Sequence, residues 1–259
     1  STISNYTVSS LAGTIDSSDV GLLDLDIKNR SYEESLQITK DNIVKILSKY
    51  TDGGMVIDIG SNIGSTSLAL MTMDKSCKVR SFEPQLYLAQ MQKETMKKND
   101  YLDRIRIYHN AVGHKCIRSI TLSSTFNHID SLEGRNSEIN YDDNHLRNYG
   151  GINIGQGGEI VDMITIDSIF CDTEMTEKIS LIKIDVEGAE SLAIYGAKET
   201  IKKYKPVIFY EDNWKKITPE MSSVLRLTND NMIFDITLFL KGIGYKQCKK
   251  VDDNWLWIY

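Results

Sequence analysis

Residues Met55–Leu68 read MVIDIGSNIGSTSL. An apolar run carries one carboxylate, Asp58, then passes through Gly60 and Gly64 into the small residues Ser65, Thr66 and Ser67. A short apolar run closed by glycine reads as a buried strand, and the residues after Gly64 open a helix. In an open parallel sheet such a strand-to-helix turn lies where ligands bind, outside the carboxyl ends of the strands. The two glycines permit backbone conformations and close approaches that a Cβ would block. The helix start at Ser65 offers N–H groups without intrahelical partners to a ligand.

The turn also restricts the ligand. A dinucleotide-binding turn reads G-x-G-x-x-G, but here Asn62 stands where the second glycine is expected. The G-K-[ST] of a phosphate-binding loop is missing as well. Asp58 would repel a diphosphate, whereas it suits a cationic ligand such as S-adenosylmethionine, with its sulfonium and ammonium. Glu83 in SFEP, 19 positions after Gly64, ends the next strand and suits the hydroxyls of a ribose.

Outward from this turn the chain alternates. KVRSFEP, RIRIYHNAVG, SITLSS, IVDMITID, ISLIKIDVEG and KPVIFYE read as strands. STSLALMTMD, QLYLAQMQKETMKKND and AESLAIYGAKETIKKY read as helices, with a short helix or turn at SIFCD. Upstream, SYEESLQITKDNIVKILSKY has helical spacing with Ser31 and Glu34 as a capping box, and VGLLDLDIKN could form a strand. SSVLRLTNDNMIFDITLFLKGIG is helical in part, and YKQCKK with NWLWIY forms a closing hairpin. This pattern predicts an α/β fold whose sheet is mostly parallel with an antiparallel C-terminal hairpin. Residues 1–50 form an N-terminal extension and a helix packed on the core, and 51–259 the main domain. Residues 124–159 are polar, rich in Gly and Asn, and read as an insertion-like loop.

A second informative segment is LIKIDVEGAE. Strand alternation would put Lys183, Asp185 and Glu187 on one face, opposite Ile182, Ile184 and Val186. Three charges on one face of a core strand are costly unless they are paired or open into a polar cleft. Lys183 and Asp185 could form a buried ion pair that only positions the strand. Gly188 then places Asp185 and Glu187 near the carboxyl edge, and KPVIFYE brings Glu211, followed by Asp212, to the same edge.

In this order, MVIDIGSNIGSTSL, SFEP, NAVG, MITIDSI, LIKIDVEGAESLAIYGA and KPVIFYE resemble the FkbM family of S-adenosylmethionine-dependent methyltransferases. The resemblance runs from about Met55 to Glu211. It implies a Rossmann-like class I methyltransferase fold, with seven strands, a reversed final hairpin and helices on both faces. It also implies O-methylation of a hydroxyl group, often on a sugar or another small molecule. By the same resemblance Asp58, Gly60, Asn62, Gly64 and Ser65 would hold the methionine part of the cofactor and Glu83 the ribose. Asn110 and Ala111 would line the adenine pocket, while Asp185 and Glu187 would face the methyl group and acceptor.

An alcohol is a weak acid, so methyl transfer to it needs a carboxylate base or a metal ion. Asp185 or Glu187 is the first choice of base, with Glu211 as a third catalytic acid. Alternatively Asp185, Glu211 and Asp212 would hold Mg²⁺, an ion that prefers oxygen ligands. His109, His114, His128 and His145 are further candidates for the base. Tyr141, Tyr149, Trp214, Trp255 and Trp257 could stack on sugar rings or simply pack the core and edge.

Composition narrows the alternatives. A net charge of −6 lacks the basic footprint of a nucleic-acid protein, which disfavours an RNA ribose methyltransferase. The first turn argues against an NAD-dependent oxidoreductase, and no N-P-P-[YF] run of amino-methylating enzymes occurs. The four cysteines show neither metal spacing nor a disulfide framework. No apolar run approaches the roughly 20 residues of a membrane helix. The expected setting is therefore cytoplasmic, with a hydroxylated small molecule as partner and no membrane.

Overall fold

The computed structural model describes the backbone of residues 7–10 and 13–16, and residues 42–123, 152–171, 177–212, 217–227, 234–251 and 253–259. The VGLLDLDIKN strand, the Ser31–Glu34 capping box and most of the loop at 124–159 lie outside these residues. A hairpin of β1 (Thr7–Ser10) and β2 (Gly13–Asp16) comes first. Residues 42–47 are helical and run into a 3₁₀ turn at Ser48–Tyr50.

The alternating segment then builds β3 (Met55–Ile59), α1 (Ser65–Met73), β4 (Lys78–Phe82), α2 (Leu86–Lys98) and β5 (Ile105–Tyr108). Next come β6 (Ala111–Val112), β7 (Ile117–Ser123), β8 (Gly157–Ile164) and α3 (Asp167–Phe170). The chain continues through β9 (Ile179–Ile184), α4 (Glu190–Tyr195), α5 (Lys198–Tyr204) and β10 (Val207–Glu211). It ends with α6 (Pro219–Leu225), α7 (Ile236–Gly242), β11 (Lys246–Val251) and β12 (Asn254–Ile258).

Seven strands form one sheet in the order β11-β12-β10-β9-β3-β4-β5. β3 pairs in parallel with both β4 and β9, and β9 with β10. β12 runs antiparallel to β10 and β11, the expected closing hairpin. This is the sheet of the Rossmann-like class I methyltransferase fold, with one reversed strand, β12, inserted beside the edge strand β11. Every residue of β3 and β9 is buried, as expected for central strands covered on both faces. On one face Ile57, Ile59, Ile182, Ile184 and Ile208 meet Ala193, Ile194, Ile201 and Leu240 of the helices α4, α5 and α7. On the other, Val56, Val79, Leu181 and Phe209 meet Leu68, Leu70 and Met71 of α1 and Met96 of α2.

Four sequence expectations need correction. RIRIYHNAVG is not one strand: β5 ends at Tyr108, and Ala111–Val112 joins a separate three-stranded sheet ordered β6-β8-β7. The loop at 124–159 does not extend to 159, because Gly157 begins β8. Gly158 there serves a close approach, since a Cβ on it would stand 2.4 Å from the Ser123 carbonyl oxygen. AESLAIYGAKETIKKY is two short helices, because Gly196 packs so tightly that a Cβ would lie 2.0 Å from the Gly113 carbonyl oxygen. Finally, the ISLIKIDVEG strand stops at Ile184 rather than running to Gly188.

No helix among the described residues is long and apolar enough to cross a membrane. Trp257 of β12 is fully buried in the core beneath α7 and is among the largest side chains there. Truncating it removes a large apolar volume that the surrounding sheet cannot refill. Trp257→Ala should therefore lose about 3–5 kcal/mol of unfolding free energy, measurable by urea denaturation.

Candidate active site

One face of the sheet changes character along its length. In the paired rows, Val56, Val79 and Leu181 are followed two residues later by Asp58, Ser81 and Lys183. Strand alternation makes each pair share a face, so the apolar layer under α1 and α2 gives way to polar groups at the carboxyl end. The site is built where that change occurs.

Asp58 and Lys183 are direct cross-strand partners. Asp58 is fully buried and accepts a 2.6 Å hydrogen bond from Ser67 Oγ of α1. Lys183 Nζ lies 3.4 Å from Asp58 Oδ1 and 3.4 Å from Asp185 Oδ2, and donates to the Gly60 carbonyl oxygen at 3.3 Å. Burial works against the ammonium, but attraction to Asp58 and Asp185 outweighs it and raises the Lys183 pKa. The sequence allowed a positioning ion pair between Lys183 and Asp185. The structure adds Asp58 as a second partner and Ser67 as its support.

The glycine turn is held by neighbours rather than left open. Gly60 has φ +74°, and a Cβ there would stand 1.8 Å from the Asp185 carbonyl oxygen. Gly64, also left-handed, caps α1, and Ser65 is the helix's first residue. Asn62 is left-handed too, with φ 53°, a conformation asparagine tolerates better than most residues. Its N–H donates to Glu83 Oε2 at 2.9 Å, while Gln85 N–H donates to Glu83 Oε1 at 2.9 Å. Glu83 is thus fixed beside the turn, and burial pushes its pKa up to about 7 despite these hydrogen bonds. Behind it, Ser81 Oγ donates to Ser61 Oγ at 2.7 Å and lies 2.8 Å from Gln92 Oε1 in a buried polar cluster.

Across the edge, carboxylate oxygens of Asp185, Glu187 and Glu211 all lie within 4.8 Å of one another. Asp212 does not join them, because its Oδ2 accepts from Trp255 Nε1 at 2.7 Å and sits 3.9 Å from Lys250 Nζ. The metal set Asp185, Glu211 and Asp212 is therefore not the one brought together; Glu187 takes the third place. Burial, then repulsion from Asp185, Glu187 and Glu190, pushes the Glu211 pKa up to about 7. Glu187 reaches the cluster from a left-handed backbone, φ 54°, and not by strand alternation. Glu190, which sequence reasoning missed, accepts from Val186 N–H and Gly188 N–H on one oxygen. Its signal was an acid two positions beyond a glycine at a helix start.

The remaining expected residues scatter. Asn110 Nδ2 donates to the Asp162 carbonyl, and Ala111 is buried in the small sheet. His109 Nε2 lies 3.0 Å from Glu159 Oε1, and that carboxylate also accepts from Leu86 N–H at the start of α2. His114 is buried without a hydrogen-bond partner, and burial, aided by Lys115, lowers its pKa to about 4. His128, His145, Tyr141, Tyr149 and Trp214 lie outside the described residues.

The edge thus combines many carboxyl groups with one buried ammonium that is already paired. That donor set fits a cofactor carrying positive charge, next to a buried acid, Glu83, on the neighbouring strand.

Residues 58–246 match the model of the methyltransferase FkbM domain. The chain belongs to the FkbM methyltransferase family. It is an S-adenosylmethionine-dependent methyltransferase. Over 175 residues it is 30% identical to the 2-O-methyltransferase NoeI of Sinorhizobium fredii (strain NBRC 101917 / NGR234), covering 67% of this chain and 68% of that protein. A crystal structure of methyltransferase FkbM from Methylobacillus flagellatus KT aligns with a TM-score of 0.49 at 19% identity, over 80% of this chain but only 43% of that one. A putative caffeoyl-CoA O-methyltransferase from Staphylococcus aureus aligns with a TM-score of 0.44 at 12% identity, over 89% and 90% of the two chains. The fold rests on the sheet order itself.

Replacing Lys183 with Met strands Asp58 as an unpaired buried carboxylate. Lys183→Met should cost about 3–5 kcal/mol in chemical denaturation, and adding Asp58→Asn should restore part of that loss. Glu83 makes a pH-dependent contribution of the opposite sign to a salt-bridged acid. Below its ordinary value of 4.5 both folded and unfolded chains are protonated, and between there and about 7 only the unfolded chain ionises. Stability from this group therefore falls as pH rises through that window. Thermal unfolding at several pH values should show Glu83→Gln gaining stability relative to the parent as pH rises from 4.5 to 7.

Proposed function

We propose that this methyltransferase acts on a hydroxyl oxygen, most simply that of a sugar or glycan. The observation that carries the reading is the convergence of Asp185, Glu187 and Glu211 at the carboxyl edge of β9 and β10. S-adenosylmethionine, when bound, supplies an electrophilic methyl group on a sulfonium leaving group. The protein's own task is to orient an acceptor hydroxyl and take its proton. Asp185 is half-exposed and lies 3.4 Å from Lys183, so it presents an anchored carboxylate. With Glu187 it forms the pair assigned as base and acceptor ligand, while Glu211 adds a third oxygen donor. Asp58, Gly60, Asn62, Gly64, Ser65 and Glu83 are assigned to the cofactor, with Asn110 and Ala111 nearest the adenine end.

The name of NoeI, a 2-O-methyltransferase, supports oxygen as the acceptor atom. Residues 1–50, which precede the matched span, and 124–159, which carry none of the motifs quoted above, are assigned to acceptor selection. A second reading has support from the same cluster: three carboxylates this close suit a hard cation such as Mg²⁺, held by Asp185, Glu187 and Glu211.

The test is mass spectrometry of hydroxylated glycans incubated with protein and cofactor, with and without EDTA. A gain of one methyl per acceptor is expected, and insensitivity to EDTA would leave the carboxylate base as the working arrangement. Asp185→Asn should lower turnover by at least about 100-fold while the far-UV spectrum is unchanged. Full activity in that variant would remove Asp185 from the mechanism.

A further inference from the structure

We propose that Glu190 is the positioning residue that sets the acid turn, clamping residues 186–188 so that Glu187 is held against Asp185 and Glu211. This rests on the assignment of Asp185 and Glu187 to the acceptor side. Glu190 is 5% exposed, and its Oε1 accepts from Val186 N–H at 3.1 Å and from Gly188 N–H at 3.2 Å. The residue enclosed between those two donors is Glu187, which has φ 54°. A left-handed backbone is unfavourable for a residue with a long side chain, and it persists only where the surroundings over-determine it.

The surroundings do so on both sides of the turn. Ahead of it, Asp185 N–H donates to the Ile59 carbonyl at 3.0 Å, and Gly60 leaves room for the Asp185 carbonyl. Behind it, Ala189 N–H donates to the Val186 carbonyl at 3.3 Å, and Gly188 is itself left-handed with φ 98°. Glu190 supplies the tie in the middle. Without it, the Val186 and Gly188 N–H groups lose their acceptor and Glu187 is released toward an ordinary right-handed or extended backbone. Its carboxylate then leaves the cluster although no acid of that cluster has been changed.

A glutamine keeps a carbonyl oxygen at the same reach, an aspartate is one methylene too short, and an alanine offers nothing. Hydrogen–deuterium exchange provides a readout that needs no acceptor. The Val186 and Gly188 amides should exchange at least about 10-fold faster in Glu190→Ala and Glu190→Asp than in the parent, and at the parent rate in Glu190→Gln. With the glycan methylated in the mass-shift assay, kcat should fall about 30-fold or more in the Ala and Asp variants and stay within about 3-fold in Gln. Cofactor affinity, measured by calorimetry, should change by less than about 3-fold throughout, because Asn62 and Glu83 are untouched. If Glu190→Ala does not fold, the Asp and Gln pair decides the question. Unchanged exchange and unchanged kcat in Glu190→Asp, or equal losses in Asp and Gln, would overturn the clamp. An active Asp185→Asn would instead overturn the acid assignment on which the clamp depends, and leaves the exchange result standing as a separate measure.

Discussion

The buried ammonium of Lys183 is the interaction on which the site depends. It reaches Asp58 on β3, Asp185 just past β9, and the carbonyl of Gly60 in the intervening turn. Taking these charges out of water is expensive, and an apolar pair of similar volume would often be no less stable. What an apolar pair could not do is register two turns against each other. One is the glycine turn after β3 and the other the acid turn after β9, and both are fastened to the same nitrogen. A shift of either turn away from the other lengthens a charge-assisted contact to this ammonium.

The central architecture was legible in the sequence because strong local signals agreed with one another. The runs at Met55–Ile59, Ile179–Ile184 and Val207–Glu211 are apolar, short and bounded, and each became a strand of the main sheet. The reversed hairpin at the C-terminus followed from the same alternation. Two failures share a cause: a glycine read as part of a loop, and another read as part of a helix, were serving contacts with distant backbone. Gly158 against Ser123 and Gly196 against Gly113 are those contacts, and neither partner could be known from local pattern. Glu187 is a different case. Period-two alternation placed it correctly near the edge for the wrong reason, since the strand had already ended and a left-handed residue brought it back.

The carboxyl edge shows how one patch can hold many acids without flying apart. Glu83 and Glu190 spend their oxygens on backbone N–H groups, and burial raises the pKa of each to about 7, which lowers the charge they carry near neutrality. Asp58 is paired with Lys183, and Glu211 is pushed toward protonation by burial and then by its acidic neighbours. The negative charge that remains is concentrated on the more exposed groups, where a cation would meet it. That gradient runs from a paired interior to a partly open rim, and it arises from burial as much as from residue type.

The small sheet joins its strands in an informative way. Ser123 N–H donates to the Asn153 carbonyl and Gly155 N–H to the Thr121 carbonyl, with Leu122 bridged to Ile154. Two backbone segments far apart in sequence, 121–123 and 153–155, are therefore stitched to each other. Closing a longer excursion between such fixed ends costs only about 0.6 kcal/mol for each doubling of its length. By this arithmetic the number of residues between the two segments weighs little on the pairing that joins them.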